Sequence, residues 1–440
     1  MVPTAETGLV LLGYCDLGAV VRGRLIPAIE LAEQPRTTVG WTPSALAKPP
    51  FGPSARPNPF GPIGDLRLLP DPATRITVPG NGRWTDMKLV LCDLVHPDGR
   101  PWDCCPRNFL REALIDLDQE LEAKLVASFE HEFQIRLDRP PVAPMSLRAW
   151  RSFEPFPSIV MAVLTQAGLR PEQFVPESAD HQFEIPLAAA SGLASADRAI
   201  LFREVVREVA RRQQIPLTFS ALLDASEQGN GVHIHFSLID RNGSPLFYDG
   251  SQPFGLSGVG ASFGAGILEH ARSLTAFTAP SPVSFARLRP GRRSAGFACL
   301  GHQNREAFLR LPPILTLGGE HAGYQVRLEY RAADAAANPY LALGMILRAG
   351  LDGVRRQLPC PKILTRDPCQ LEQDELAGYT AAELPRNLGE ALQALAQDKL
   401  ASGWMSPRLY QAYLAIKHVE IRVADQESFD DSCRRYASIY

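Results

Sequence analysis

The chain has 440 residues, more than one hydrophobic core usually organises, so we expect two domains or one large elaborated domain. A formal net charge of -3 gives no polybasic or polyacidic signature, so nucleic acid and membrane surfaces are not expected partners and a small-molecule substrate fits better. The N-terminus lacks a basic start with a long apolar run, and no stretch reaches the ~20 apolar residues of a membrane span, which predicts a cytoplasmic protein. The eight cysteines form no Cys-x-x-Cys pair and are predicted to be reduced thiols.

The first hundred residues contain short strand-like segments and turns, which predict a small β-rich domain over residues 1–100. The expected strands are 8–14, 20–26, 37–41 and 87–94. Between them, residues 48–64 are rich in proline and glycine. Proline lacks the amide hydrogen that a β-ladder needs, so this segment is predicted to be a loop.

From residue 101 onward, helical and strand patterns alternate, which predicts a larger α/β or α+β domain over residues 101–440. Apolar residues recur at helical spacing over 108–125, and 195–212 is a second predicted helix with a plausible cap at its start. Pro339 lies just inside a third helix that Asn338 can cap. No repeat of fixed period is visible, so solenoids and propellers are excluded.

Three strand-like segments carry polar residues two positions apart. In residues 128–133, a strand would place Glu130 and Glu132 on one face, about 7 Å apart along the chain. Two carboxylates side by side repel each other, so the pair indicates a bound cation. A solvated strand face is the alternative.

The second segment, residues 231–237, places His233, His235 and Ser237 on one face while apolar residues fill the other. Such a row on an apolar strand indicates a polar ligand, although a lone histidine would more often be a satisfied core residue. The third segment lines up Arg327, Glu329 and Arg331 on one side. Its alternative interpretation is an ordinary salt-bridge ladder, which contributes little if it is exposed.

The three segments contain three candidate carboxylates, and two more lie elsewhere, at Glu177 and Glu184. The candidates are Glu130, Glu132, Glu177, Glu184 and Glu329, to which one imidazole is added. This is too much negative charge to converge in a site without cations. Oxygen-rich sites with a single nitrogen favour Mg²⁺ or Mn²⁺ over zinc, and six ligands divide into two sites of three. Two such ions beside several arginines are typical of phosphoryl transfer.

The order of the motifs resembles that of the glutamine synthetases of the bacterial type. It runs Glu-x-Glu at 130–132, Glu-x6-Glu at 177–184, Asn-Gly-x-His-x-His-x-Ser at 230–237, Asn-Arg at 304–305, and Arg-x-Glu-x-Arg at 327–331 with Ala-Ala-Asn-Pro-Tyr after it. Residues 64–71, 384–392 and 413–417 also resemble segments of that family. Any one motif is weak, but together, in their usual order, they cover nearly the whole chain.

The resemblance implies a role for each matching position. For the metal on the glutamate side it implies Glu132, Glu177 and Glu184, and for the metal on the nucleotide phosphates it implies Glu130, His233 and Glu329. The residues implied to contact ATP are His235, Ser237, Arg310 and Arg327. The residues implied to hold glutamate and the γ-glutamyl phosphate are Asn230, Gly231, Arg287, Arg305 and Arg331, of which the three arginines are the catalytic candidates.

The resemblance also implies a reaction and an architecture. The side-chain carboxylate of glutamate attacks the terminal phosphate of ATP, and an amine then displaces phosphate from the acyl phosphate, with two or more Mg²⁺ or Mn²⁺ ions per site. The implied fold is α+β, with an N-terminal β-grasp domain followed by a barrel-like β/α catalytic domain. Family members form double rings, so a homo-oligomer of the dodecamer type is expected, in which the small domain of one subunit completes its neighbour's site.

Two departures from the family pattern concern the acceptor. Ammonia-using members follow Arg-Leu-x-Pro-Gly with an aromatic residue, Glu, Ala and Pro, and that glutamate helps to deprotonate ammonium. Here residues 287–291 are followed by Arg292 and Arg293. The Asp-Gly-Ser-Ser turn of ammonia users corresponds to residues 40–44, which contain no carboxylate. We therefore predict transfer to an amine other than ammonia. The loop 318–325 also lacks the lysine often found in the family.

Arg293 is the acceptor-site candidate. If Arg292 or Arg293 points inward, the entry is electropositive and should favour neutral or anion-bearing amines over small cationic amines and polyamines; alternatively, both face solvent or a neighbouring subunit. The loop 48–64 is the candidate wall for acceptor size.

Two other functions stay open: a true glutamine synthetase that uses Glu306 or Glu320 at its ammonium site, and a non-catalytic relative with a binding or regulatory role.

Overall fold

The computed structural model describes residues 7–137, 140, 142–292, 294–315, 317, 321–379 and 382–440. In its N-terminal part the elements are β1 Leu9–Cys15, β2 Val21–Pro27, α1 Ala28–Glu33, β3 Val39–Trp41, β4 Leu66–Pro70, β5 Ile76–Val78 and β6 Met87–Val95. The strands form one six-stranded sheet in the order β2-β1-β6-β4-β3, with β5 paired to β6. β1 and β6 run parallel at its centre.

The predicted strands of this part exist, with small differences in their ends. Three agree within one residue, whereas the segment predicted at 37–41 pairs only over Val39–Trp41 with β4. Residues 48–64 contain no helix or strand, which confirms the predicted loop. The loop closes over apolar residues all the same, since Ala55 and Phe60 are buried.

The second sheet has nine strands and lies in the C-terminal part. Its strands are β7 Ala123–Ile135, β8 Val175–Pro176, β9 Gln182–Pro186, β10 Ala190–Ser191, β11 Leu217–Thr218, β12 Val232–Asp240, β13 Phe297–His302, β14 Ala307–Leu311 and β15 Leu328–Tyr330. The order is β13-β14-β15-β12-β7-β9-β8, with β10 and β11 also paired to β7. Strand β7 is therefore the hub of the sheet.

Helices cover this sheet and extend to the C-terminus. They are α2 Pro106–Leu121, α3 Leu147–Arg151, α4 Phe156–Gln166, α5 Leu193–Arg212, α6 Gly258–Glu269, α7 Ala271–Thr278, α8 Ala322–Gln325, α9 Pro339–Arg355, α10 Gln373–Ala377, α11 Leu388–Gln397, α12 Lys399–Gly403, α13 Pro407–Ala424 and α14 Phe429–Ala437. The mixture of sheets and helices agrees with the predicted α+β class. None of the described helices is long and apolar enough to cross a membrane.

Strand β7 separates the core of this part from its polar face. Phe129, His131 and Phe133 are buried on one side, while Glu130 and Glu132 lie on the other. Because side chains alternate along a strand, the sequence of β7 alone determines this separation.

Two helix boundaries differ from the predictions. The helix predicted over 108–125 is α2, which begins at Pro106 and ends at Leu121, because Glu122 adopts a left-handed conformation with φ of 50°. Leu125 belongs to β7 instead. The helix predicted over 195–212 begins at Leu193 after Gly192 and has no side-chain cap. Asn338 does cap α9, accepting from the amides of Tyr340 and Leu341, as predicted.

Buried polar contacts join the two parts. Nδ2 of Asn338 donates to the carbonyl oxygens of Cys15 and Asp16 at 3.2 and 2.8 Å. Arg107 at the start of α2 forms ion pairs with Asp93 at 3.0 Å and with Asp197 at 2.9 Å. The cap of a C-terminal helix and the end of a small-domain strand thus share one side chain.

All eight cysteines are unpaired, in agreement with the prediction of free thiols.

Candidate active site

Five strands of the large sheet bring the predicted polar residues to one face. In the antiparallel ladders, Glu130 lies opposite His233, and Glu132 lies opposite Glu184. Glu329 is paired with His235 on one side and with Arg310 on the other. Directly opposite residues in a sheet have neighbouring side chains, so the strand register assembles groups that are far apart in sequence.

Glu130 lies between two imidazoles. Its Oε1 is 3.1 Å from Nε2 of His235, and its Oε2 is 3.4 Å from Nδ1 of His233. Arg327 donates through Nε to Nδ1 of His235 at 3.1 Å. Burial opposes ionisation of Glu130, but His235 and His233 hold its pKa well below the ordinary value. Glu130 is therefore an ionised carboxylate.

Glu329 is an ionised carboxylate in a buried position. Nη1 of Arg310 donates to it at 2.6 Å, and Nη1 of Arg331 donates to its other oxygen. Burial raises the pKa of Glu329, but the charges of His235 and Arg331 outweigh it and bring the pKa to about 2. Glu329 and Arg331 are 1% and 2% exposed. Burying an arginine–carboxylate pair this deeply requires a large desolvation free energy. The row of Arg327, Glu329 and Arg331 is therefore not an ordinary surface salt-bridge ladder.

Glu132 is oriented by two neighbours. Its Oε2 accepts from the amide of Gly231 at 2.7 Å and from Nε2 of Gln182 at 3.3 Å. Nε2 of Gln182 also donates to Oδ1 of Asn230 at 3.0 Å, and Nδ2 of Asn230 donates to the carbonyl of Ser220 at 2.8 Å. A Cβ at position 231 would lie 3.0 Å from Nη1 of Arg287, which is a tight contact. The Asn-Gly motif therefore fixes Glu132 and leaves room for Arg287.

Two carboxylates of the site are disfavoured in their ionised form. Burial and the charges of Glu130 and Glu132 raise the pKa of Glu184 to about 9. Burial and the charge of Glu132 raise the pKa of Glu177 to about 7. A group whose ionised form is disfavoured by other carboxylates is stabilised by a divalent cation. The carboxylate and imidazole donors here suit a hard ion such as Mg²⁺ or Mn²⁺.

The ligand atoms that lie closest together form triads other than the implied ones. Within the described residues, one set within 4.8 Å consists of Glu130, His235 and Glu329, and the other consists of Glu130, Glu184 and His233. Glu130 belongs to both. The resemblance instead divides the ligands into Glu132, Glu177 and Glu184 for one metal, and Glu130, His233 and Glu329 for the other.

These side chains line a cavity of about 700 Å³. Twelve of the sequence candidates line it, namely Glu130, Glu132, Glu177, Glu184, His233, His235, Arg287, Arg305, Arg310, Arg327, Glu329 and Arg331. Three do not. Asn230 is buried behind Gln182, Gly231 contributes its amide to Glu132, and the hydroxyl of Ser237 donates to the carbonyl of Val326 at 3.0 Å.

Several lining residues were not identified from the sequence. They are Met145, Gln173, Val175, Gln182, Gln228 and Ser294. Gln182 shares a face with Glu184 at i and i+2 and lies opposite Gln134 of β7, so its signal was present once the strand was recognised. The others lie outside strands or on the two-residue strand β8 and carry no comparable pattern.

The acceptor region is described only in part. Arg292 lines the cavity, and its guanidinium donates to the backbone carbonyls of Glu227 and Ala225. Arg293, the acceptor-site candidate, and Glu320 lie outside the described residues. Glu306 lines a neighbouring cavity instead, and its carboxylate accepts from the amide of Gly291 at 3.1 Å. Glu306 therefore supports the start of the 291–296 segment and does not face the reaction cavity.

The sequence matches two family models over almost its whole length. Residues 2–102 match the glutamine synthetase N-terminal domain, and residues 103–436 match the glutamine synthetase catalytic domain. The chain belongs to the glutamine synthetase family.

Two curated relatives show the range of names within the glutamine synthetase family. A gamma-glutamylpolyamine synthetase, GlnA3 of Streptomyces coelicolor, is 32% identical and covers 96% of this chain and 91% of its own length. A glutamine synthetase of Methanocaldococcus jannaschii is 30% identical over 81% of this chain and 79% of its own. The similarity to the first spans both domains.

Solved structures in the glutamine synthetase family have the same fold. One, described as a novel glutamine synthase homolog, superimposes with a TM-score of 0.90 at 37% identity and covers 100% of both chains. Another, described as GmaS without ligand, has a TM-score of 0.82 at 28% identity and covers 97% of this chain and 96% of its own.

Proposed function

We propose that this protein is an ATP-dependent ligase that activates the side-chain carboxylate of glutamate and joins it to an amine other than ammonia. One observation carries the proposal: the carboxylate–arginine cavity is retained, whereas Gly291 is followed in sequence by Arg292 and Arg293 where the ammonia-using pattern has an aromatic residue and a glutamate. The name of the polyamine-using relative, which aligns along nearly the whole chain, supports an amine acceptor.

We assign the carboxylates and His233 to the binding of two metal ions, and the arginines to the binding of phosphate. Glu132, Glu177 and Glu184 would hold one divalent ion, and Glu130, His233 and Glu329 a second, as Mg²⁺ or Mn²⁺. Ions held there would supply positive charge against the phosphates of ATP and of the transferring group. This assignment rests on the raised pKa of Glu177 and of Glu184 and on the family pattern.

Arginines provide the phosphate contacts. Three arginines that we assign to the substrate glutamate line the cavity, namely Arg287, Arg305 and Arg331. Nε of Arg331 donates to the carbonyl of Arg305 at 3.1 Å, which holds the side chain of Arg331 in place. A planar guanidinium fork suits an acyl phosphate. We assign Arg310 and Arg327, with His235 and Ser237, to the ATP side, and Asn230 and Gly231 to the glutamate side.

The reaction has two steps. A carboxylate oxygen of glutamate forms a bond to the terminal phosphorus of ATP, and ADP leaves. The nitrogen of the neutral amine then bonds to the acyl carbon, and phosphate leaves. Only the unprotonated amine is nucleophilic, so the acceptor must lose a proton within the site.

The finer architecture is proposed from the family resemblance. We assign residues 1–100 to a β-grasp domain and 101–440 to a barrel-like catalytic domain. We expect a cytoplasmic double-ring dodecamer in which the small domain of a neighbouring subunit completes each site. The loop 48–64 is the candidate wall of the acceptor site, and Arg293 stays the acceptor-site candidate.

The test is ADP release that depends on glutamate and acceptor, measured with ammonium, methylamine, a diamine, an aromatic amine and an amino acid. Glu132→Ala serves as the inactive control and Arg293→Glu as the acceptor variant. We expect an organic amine to give the highest kcat/KM. Ammonium as the best acceptor would make the protein a true glutamine synthetase, and no acceptor-dependent release would make it a non-catalytic relative.

A further inference from the structure

A second cavity lies at the end of β7, beyond the reaction cavity. It measures about 380 Å³, and its lining includes the carboxylates Asp180, Asp224 and Glu227 together with the amide of Gln134. Arg136 and Arg434 also line it, but Nη2 of Arg434 is bound to Asp431 at 2.7 Å. The lining therefore combines three carboxylates with two guanidinium groups, one of them paired with Asp431, and the imidazole of His181.

The two cavities lie along one polar face of the sheet. Gln134 follows Glu132 at i+2 on β7, so its side chain continues the row of ligands about 7 Å further along the strand. The turns 177–182 and 224–229 line the reaction cavity on one side and the second cavity on the other. Between them, the hydroxyl of Ser178 donates to Oε1 of Gln228 at 2.8 Å, in an exposed position.

Gln134 has an unused acceptor at this place. Its Nε2 donates to Oε2 of Glu227 at 2.7 Å and to the carbonyl of Asp180 at 3.2 Å. Both of these partners only accept, so the orientation of the amide is fixed. Its Oε1 has no hydrogen-bond partner among the described residues, although the side chain is only 2% exposed. A buried carbonyl oxygen without a donor is costly, and a donor at this position would satisfy it.

The charges around Glu227 favour the same kind of ligand. Burial raises the pKa of Glu227, and the charges of Asp224 and Asp180 raise it further, while the hydrogen bond from Gln134 lowers it. Arg292, which lines the reaction cavity, donates to the carbonyls of Glu227 and Ala225. Its guanidinium thereby supports the acidic turn from outside.

We propose that this acidic cavity binds the distal ammonium group of a diamine or polyamine whose other amine is the nucleophile in the reaction cavity. The inference rests on the proposed function and specifies its acceptor class. The ammonium would donate to Glu227, to the Asp224 carboxylate and to Oε1 of Gln134. It differs from the sequence-based expectation that Arg292 or Arg293 would disfavour polyamines.

The experiment compares 1,4-diaminobutane with methylamine as acceptors for the full chain. In Glu227→Gln and in Asp224→Asn, we expect the ratio of kcat/KM for the diamine to that for methylamine to fall about tenfold, as for loss of one charge-assisted hydrogen bond. Glu122→Gln, an exposed carboxylate just before the opposite end of β7, is the matched control and should keep the wild-type ratio. An unchanged ratio in both cavity variants would overturn the proposal.

A binding measurement separates the cavity from the reaction. Calorimetric titration of the Mg²⁺-loaded chain with 1,4-diaminobutane, without ATP, should show binding that the two cavity variants weaken and Glu122→Gln does not. If no amine supports ADP release, the proposed function fails, and the titration still decides whether the cavity takes a diamine. Equal binding by wild type and both variants would rule the cavity out.

Discussion

At the scale of single residues, the two proposed cation sites make separate predictions. Glu132→Ala and Glu329→Ala should each lower ATP turnover by roughly a thousandfold or more, because each removes a ligand from a different ion whose catalytic effect is worth several kcal/mol. Steady-state ADP release is the measurement. Glu122→Ala, which changes an exposed glutamate of the same part of the chain, should keep the wild-type rate. A near-normal rate in either ligand variant would contradict the two-metal assignment.

The ligand row could be predicted because its signal is local. Alternation within β7 places Glu130 and Glu132 on one face without any knowledge of the partners. The contacts of Gln134 and Gln182 could not be predicted in this way, because they depend on the register between β7 and β9 and on turns that approach from elsewhere. Similarly, no sequence pattern indicates that the hydroxyl of Ser237 donates to the carbonyl of Val326.

At the scale of elements, helices α6 and α9 touch through glycines. A Cβ on Gly353 would lie 2.1 Å from the carbonyl oxygen of Ser262, and one on Gly266 would lie 2.1 Å from that of Ala349. These obstacles are backbone atoms, which cannot rotate away, so the helices must separate to accept a methyl group. The glycines therefore set the distance between the two helices.

Gly353→Ala should consequently destabilise the protein by at least about 2 kcal/mol, as overpacking of a core does. Chemical denaturation of the purified chain measures the effect. Gly258→Ala is the matched control, since a Cβ there meets nothing within 4 Å at the exposed start of α6. That variant should be neutral or up to about 1 kcal/mol more stable through helix propensity. If both variants had the same stability, the close approach would not determine the packing.

Element boundaries show where local patterns fail. The apolar spacing over 108–125 runs through the turn at Glu122 into β7, because a buried strand and a buried helix face both place apolar residues at short intervals. The end of α2 depends on the left-handed residue Glu122, a non-glycine that no sequence rule marks. Asn338 was predictable, because a cap directly before Pro339 has a local signature.

At the scale of the whole molecule, the cluster of carboxylates couples stability to pH and metal. The pKa of Glu184 is raised from an ordinary 4.5 to about 9, and that of Glu177 to about 7. Between the ordinary and raised values the unfolded chain has lost these protons while the metal-free folded chain keeps them. Stability of the metal-free protein contributed by these groups therefore falls as pH rises through this window.

A divalent ion should remove this dependence, because it stabilises the ionised carboxylates of the folded state. We expect Mg²⁺ or Mn²⁺ to raise Tm more at pH 8 than at pH 6, relative to the same protein in chelator. The measurement is thermal unfolding with metal and in chelator at each pH. The difference in Tm between the two conditions removes the contribution of groups that titrate in the same way with and without metal. Glu184→Gln should show a smaller pH dependence of the metal effect. Parallel pH profiles with and without metal would contradict the assignment.

The alternation along β7 also limits how the chain can change in length. An insertion of one residue between 123 and 135 would move every following side chain to the opposite face, exchanging Glu132 with its apolar neighbours in a single event. Insertions should therefore be excluded from this strand, whereas the loop 48–64, which has no ladder to disturb, can lengthen or shorten. Relatives that differ in the size of their acceptor would be expected to differ in length there.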